Sequence, residues 1–137
     1  MRGTLKATPL QQLWAWGLLA VGLLASLAGS RWELYGRIAW YDEVVHGFNF
    51  FALTLVVALY TYGVVLKGAQ RHGLLLVLTI AGLGLAMGAL WEIAEWTYDQ
   101  FVRPNAILSK TDTIVDLIVD TIGALVAGVI RSGMIRK

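Results

Sequence analysis

The chain has 137 residues, 58% of them hydrophobic and only 15% charged, with a mean hydropathy of +0.67. That length suits one domain, and that composition is too apolar for a soluble core of this size, which makes the chain an integral membrane protein. The absence of cysteine rules out disulfides and thiolate metal ligands, and a net charge of only +2 argues for topology and lipid headgroups rather than nucleic acid.

Residues 1–9 are a short polar lead carrying Arg2 and Lys6. The first apolar run, 13–30, is uncharged and close to the roughly 20 helical residues that cross a bilayer's hydrocarbon core, so a span is expected over 10–30. A basic start, an apolar run and Ser26-Leu27-Ala28-Gly29 also fit a signal peptide and its cleavage site; the run is read as a retained helix. Residues 31–41 form a loop rich in aromatics (Trp32, Tyr35, Trp40, Tyr41), as at a headgroup interface. The second span is expected over 42–66, with Asp42, Glu43 and His46 in its first turns. A basic turn at 67–73 leads to the third span over 74–98, whose Gly84-x-x-x-Gly88 permits close helix packing. Residues 103–110, with Pro104 and Asn105, form the next loop. The fourth span, over 112–130, carries Ala124-x-x-x-Gly128, and Arg131, Arg136 and Lys137 close the chain. The expected fold class is all-α: an integral membrane four-transmembrane-helix bundle, one domain over residues 1–137.

Basic residues set the expected orientation. Arg2, Lys6, Lys67, Arg71, Arg131, Arg136 and Lys137 fall on one side, against Arg31, Arg37, Arg103 and Lys110 on the other. The positive-inside rule then puts both termini in the cytoplasm. In that topology all nine acidic residues, Glu33, Asp42, Glu43, Glu92, Glu95, Asp99, Asp112, Asp116 and Asp120, lie in the outward half, together with His46.

Three stretches concentrate this charge. Trp91-Glu92-Ile93-Ala94-Glu95-Trp96-Thr97-Tyr98-Asp99 carries carboxylates at i, i+3 and i+7, within a narrow sector of one helix face. Asp42, His46 and Asn49 form a second stripe, and Asp112, Asp116 and Asp120 a third. With Asp42, Asp99 and Asp112 at the interface, His46, Glu95 and Asp116 lie about 6 Å deeper, and Glu92, Asn49 and Asp120 about 10–12 Å deeper. Each carboxylate in hydrocarbon costs roughly 2.5–3.5 kcal/mol on insertion scales, so protonation, basic partners or a bound cation must offset the cost. Oxygen ligands with one imidazole suit Mg, Mn, Zn or Fe, or Ca if His46 is no ligand. Glu43-x-x-His46 also has the Glu-x-x-His spacing of di-iron bundles, which normally use two such pairs.

Ordinary roles account for several of these groups. Asp112, after Thr111, fits an N-cap of the fourth helix, and Asp42 or Glu43 the same for the second. Glu33 and Asp99 read as solvated, His72 as topogenic, and the tryptophans as interface belts, with Trp91 and Trp96 placed to wall a site. Glu92, Glu95, Asp116, Asp120 and His46 lie past the first turn, where intramembrane ionisable groups point to function.

The blocks at residues 42–46, 91–99 and 111–124, read as Asp-x-x-x-His, Trp-Glu-x-x-Glu-Trp-x-x-Asp and Thr-Asp-Thr-x-x-Asp-Leu-x-x-Asp-x-x-Gly-Ala, resemble the YjdF-like family. These are small bacterial inner-membrane proteins of unassigned biochemistry, and the resemblance spans residues 40–130. It implies the bundle and the importance of the three motifs, but no reaction. The chain is more distantly similar to VanZ-like proteins, with Glu43 where those carry Lys. The Asp112–Asp116–Asp120 run resembles the tail of the CDP-alcohol phosphotransferase motif, without its upstream Asp-x-x-Asp-Gly and Ala-Arg elements.

Three functions compete. The first is a metal-dependent enzyme in the bacterial inner membrane, acting at its outer interface on a lipid-linked or amphiphilic substrate. His46, Glu92 and Asp116 would be its catalytic residues, and His46, Glu92, Glu95, Asp116 and Asp120 the ligands of a divalent Mg, Mn, Zn or Fe ion. The second is a one-sided cation- or proton-binding protein using the same carboxylates. The third is an accessory subunit of a larger membrane complex. Expected partners are membrane lipids, not nucleic acid, with a homo-oligomer or larger complex left open.

Overall fold

The computed structural model describes residues 7–61, 72–102 and 110–136. Arg2, Lys6, Lys67, Arg71, Arg103, Pro104, Asn105, Lys137 and the end of the expected second span lie outside the described residues. Among the described residues the helices are, in order, α1 (Pro9–Arg31), α2 (Leu34–Arg37), α3 (Tyr41–Tyr60), α4 (Gly73–Phe101) and α5 (Lys110–Arg136). All but α2 are long and apolar enough to cross a membrane. The all-helical fold with four membrane-crossing helices is therefore as the apolar runs lead one to expect.

Helix α1 starts on a capping box. The Thr8 hydroxyl accepts from the Gln11 backbone N–H at 3.2 Å, and the Gln11 side chain accepts from the Thr8 N–H at 3.0 Å. Pro9 takes the first helical position, where its missing N–H costs nothing. The helix packs antiparallel on α3, with Trp16 donating to the Tyr60 hydroxyl near one end and Tyr41 donating to the Ala25 carbonyl near the other. Gly29 leaves the space that the rings of Tyr35 and Tyr41 fill, edge to face with centroids 5.3 Å apart. Burial pushes the Tyr35 phenol above its ordinary pKa.

Helices α3, α4 and α5 form the core, and α1 leans on the outer side of α3. α3 and α5 run in the same direction. Gly47 faces Val119 and Gly123, Thr54 lies near Ala124 across Gly84, and Leu55 and Leu59 share a cluster with Ala127. α4 runs the other way, with Gly88 against Asp120, Gly84 against Ala124, and Val77 against Gly128. The two small-residue patterns thus lie on the α4–α5 contact, as expected of a close-packing stripe. Many large apolar side chains are exposed, including Leu13, Leu24, Leu74, Leu90, Ile93 and Val129, as suits a helix that faces lipid.

Several boundaries and roles differ from the sequence reading. The 31–41 loop contains the single-turn α2, entered through Glu33 in the left-handed region at φ 57°. α4 continues to Phe101 and α5 to Arg136. Arg131 is consequently not a loop charge: it lies inside α5 and is 1% exposed. Glu33 is exposed and pairs with Arg37 at 3.2 Å, whereas Asp99 is partly buried.

Candidate metal centre

The alternation of the four spans brings every acidic residue to one end of the bundle, the end that carries residues 32–40. Here α3 enters through Asp42 and His46, α5 enters beside it through Asp112, Asp116 and Asp120, and α4 arrives from below through Glu92 and Glu95. The i, i+4 spacing on the parallel pair α3 and α5 turns both acidic stripes toward the same interior line.

His46 sits at the middle of the cluster with its side chain 11% exposed. Its Nε2 lies 3.7 Å from Asp42 Oδ1, and its Nδ1 lies 3.5 Å from Asp120 Oδ1 and 4.0 Å from Asp116 Oδ1. Glu92 projects from α4 at the level of Asp116, because Gly88, one turn earlier, faces Asp120. One ligand atom each from His46, Glu92 and Asp116 lie within 4.8 Å of one another. The same holds for Asp42, Asp112 and Asp116. Ligands bound to one ion at about 2.0–2.2 Å are at most about 4.4 Å apart, so either group needs only a small contraction to close on a cation.

What marks this cluster off from a solvated acidic face is its burial. Glu92 is 5% exposed and Asp120 0%. Both oxygens of each, and His46 Nδ1, have no hydrogen-bond partner among the described residues. Buried carboxylate oxygens normally accept two or more hydrogen bonds, and an unmade one costs about 1–3 kcal/mol or more when charged. The space for Asp120 is itself built into the sequence: a Cβ on Gly88 would lie 2.8 Å from Asp120 Oδ2 and 3.3 Å from its Cβ.

Of the expected ligands, His46, Glu92 and Asp116 converge, Asp120 stands against His46, and Glu95 belongs to neither three-residue group. Glu95 follows Glu92 by 300° of helical rotation, which leaves it partly exposed beside the cluster rather than in it. Asn49 departs from the stripe it was placed on: its Nδ2 donates to Ser26 Oγ at 2.8 Å, across the α1–α3 contact. Trp91 and Trp96 are each more than half exposed, the position of lipid-facing rings rather than of a wall.

Neither Asp42 nor Asp112 is the N-cap of its helix. The N-cap of α3 is Trp40, and α5 begins at Lys110, so both acids lie within the first helical turn. Their negative charge still favours the helix dipole there. Their side chains nonetheless meet Asp116, a convergence foreshadowed only by the Asp42/His46 and Asp112/Asp116 spacings.

Comparison with known proteins matches residues 3–137 to the family described as predicted membrane protein (DUF2238). An uncharacterized protein of Thermotoga maritima is 30% identical over 105 residues, covering 73% of this chain and 52% of the relative. The chain thus spans about half the length of the curated relative it matches. No solved structure matches. With a match that runs over nearly its whole length, and with four helices long and apolar enough to cross a membrane, the chain belongs to the DUF2238 family of multi-pass membrane proteins.

Proposed function

We infer that this is a bacterial inner-membrane protein with both termini in the cytoplasm, and that its outward-facing intramembrane site binds a divalent metal ion through His46, Glu92 and Asp116. The reading is carried by Glu92, which is 5% exposed, reaches the His46–Asp116 pair, and has no well-formed hydrogen bond to either carboxylate oxygen among the described residues. A carboxylate held in that state is stabilised by a cation far more than by the apolar surroundings. Asp120, facing His46 Nδ1, is the additional oxygen donor. The donor set, carboxylate oxygens with one imidazole, favours Mn, Fe, Zn or Mg. The YjdF-like pattern of the three motifs agrees with a bacterial inner-membrane location.

The cluster lies at one end of the bundle and Asp42, at its mouth, has a side chain 33% exposed, so the site is reached from that side. A metal ion there would supply Lewis-acid polarisation of a phosphoryl or carbonyl oxygen, or an activated water. That chemistry fits a lipid-linked or amphiphilic substrate presented at the headgroup level. Elemental analysis of protein purified in mild detergent tests the binding itself. The wild type is expected to retain at least about one equivalent of one divalent metal, and Glu92→Gln and Asp116→Asn to lose it at unchanged elution volume. Metal-free wild-type protein that also takes up no Mg, Mn, Zn or Fe when these are added would overturn the reading.

A further inference from the structure

We propose that the acidic end holds a dinuclear centre in which Asp116 bridges two divalent cations: an inner one held by His46 and Glu92, and an outer one held by Asp42 and Asp112. This extends the single-ion reading above and rests on it.

The two groups whose ligand atoms lie within 4.8 Å of one another, His46–Glu92–Asp116 and Asp42–Asp112–Asp116, have Asp116 in common. A carboxylate has two oxygens, so one residue can serve two ions about 3.5–4 Å apart, the usual spacing of two-metal sites. His46 stands between the subsites, with Nδ1 toward Asp116 and Asp120 and Nε2 toward Asp42. The two oxygens of the buried Glu92 accept no well-formed hydrogen bond among the described residues, and Asp120 meets the His46 ring at 3.5 Å, so the inner end of the cluster is open to a further ligand.

Charge supports the second ion. Among the described residues, Asp42, Asp116 and Asp120 lie within 4.0 Å of the His46 ring, and Glu92 converges on it with Asp116. One divalent ion offsets two carboxylate charges, and two ions offset four. The exposure gradient orders the subsites, since the side chain of Asp42 is 33% exposed and that of Asp116 only 5%. The outer ion is therefore the more accessible and the more readily exchanged.

The test is titration of metal-free full-length protein with Mn(II), following free Mn(II) by electron paramagnetic resonance and the bound ions by their low-temperature spectrum. The wild type is expected to bind about two equivalents, the second more weakly, with the spectrum of a spin-coupled pair. Asp112→Asn and Asp42→Asn should each lose the second equivalent and the coupling while keeping the first, which also shows that the variants fold. Asp112→Glu should restore the second. One uncoupled equivalent in the wild type overturns the dinuclear centre and leaves the single-ion reading standing; no binding at all overturns both. Two coupled equivalents retained in both Asn variants, or both ions lost together in each, equally overturn the assignment of the outer ion.

Discussion

Gly123→Val is expected to abolish a stable, monodisperse protein, the largest effect of any substitution of one small residue in this fold. A Cβ at Gly123 would run into the Gly47 carbonyl oxygen and lie 2.9 Å from the Phe51 backbone N and 3.2 Å from the Gly47 carbonyl carbon. All three are backbone atoms of α3, so no side-chain rotation relieves the overlap and the helices must separate. Overpacking of this kind usually costs about 1–3 kcal/mol, and more where backbone is struck. The damage would extend to the site, because α3 carries His46 and α5 carries Asp116 and Asp120 on either side of the same contact. Size-exclusion profiles in detergent, with divalent-metal uptake measured on whatever elutes, check this. Gly82→Ala is the control: nothing lies within 4 Å of its Cβ position, and the change should be neutral or mildly stabilising. A Gly123→Val protein that elutes and binds metal as the wild type does would show that α3 and α5 do not pack as described.

Glu92→Gln is expected to move stability in opposite directions with and without metal. In the metal-free protein the change removes a buried carboxylate whose oxygens accept no well-formed hydrogen bond among the described residues. Replacing such a charge with a neutral group of the same shape is expected to stabilise by about 1–4 kcal/mol, by analogy with buried ion pairs exchanged for apolar residues. In saturating metal the wild type gains what the variant cannot. A ligand at 100 times its Kd adds about 2.7 kcal/mol to the folded state. The melting temperature of the variant should therefore exceed that of the metal-free wild type and fail to rise when Mn(II) is added. A variant that melts below the metal-free wild type would mean that Glu92 is held by the protein itself, as a structural group rather than a ligand.

The four helices were legible in the sequence because an uncharged run long enough to cross hydrocarbon has few other uses, and the direction of each followed from alternation. Helix ends were less so. α5 runs on through Arg131 to Arg136 because neither Arg nor Met interrupts a helix, and Arg131 is buried although its charge read as a loop group. Packing at Gly84, Gly88 and Gly128 was visible as small residues four apart, whereas nothing in the sequence paired Gly123 with Gly47, where α5 meets the backbone of α3.

For the site, the sequence identified the stripes but not their rotation. Depth counted along each helix placed Glu95, not Glu92, level with Asp116, and only the position of α5 decides that Glu92 faces Asp116. Asn49 shared a stripe with His46, yet Ser26 on α1 offers it a hydrogen bond. Asp42 and Asp112 were hidden by the capping role that an acid in a first turn ordinarily has, since their convergence on Asp116 is a contact between helices. Helical periodicity specifies a face. Which faces meet is decided by the small residues that let the helices approach.

Crystals grown with Mn(II) test whether one divalent cation binds between His46, Glu92 and Asp116. Anomalous difference maps at the manganese edge should show a peak within about 2.0–2.4 Å of a His46 ring nitrogen and of carboxylate oxygens of Glu92 and Asp116. A map with no peak at this cluster, in crystals whose maps show the four side chains His46, Glu92, Asp116 and Asp120 ordered, would contradict it.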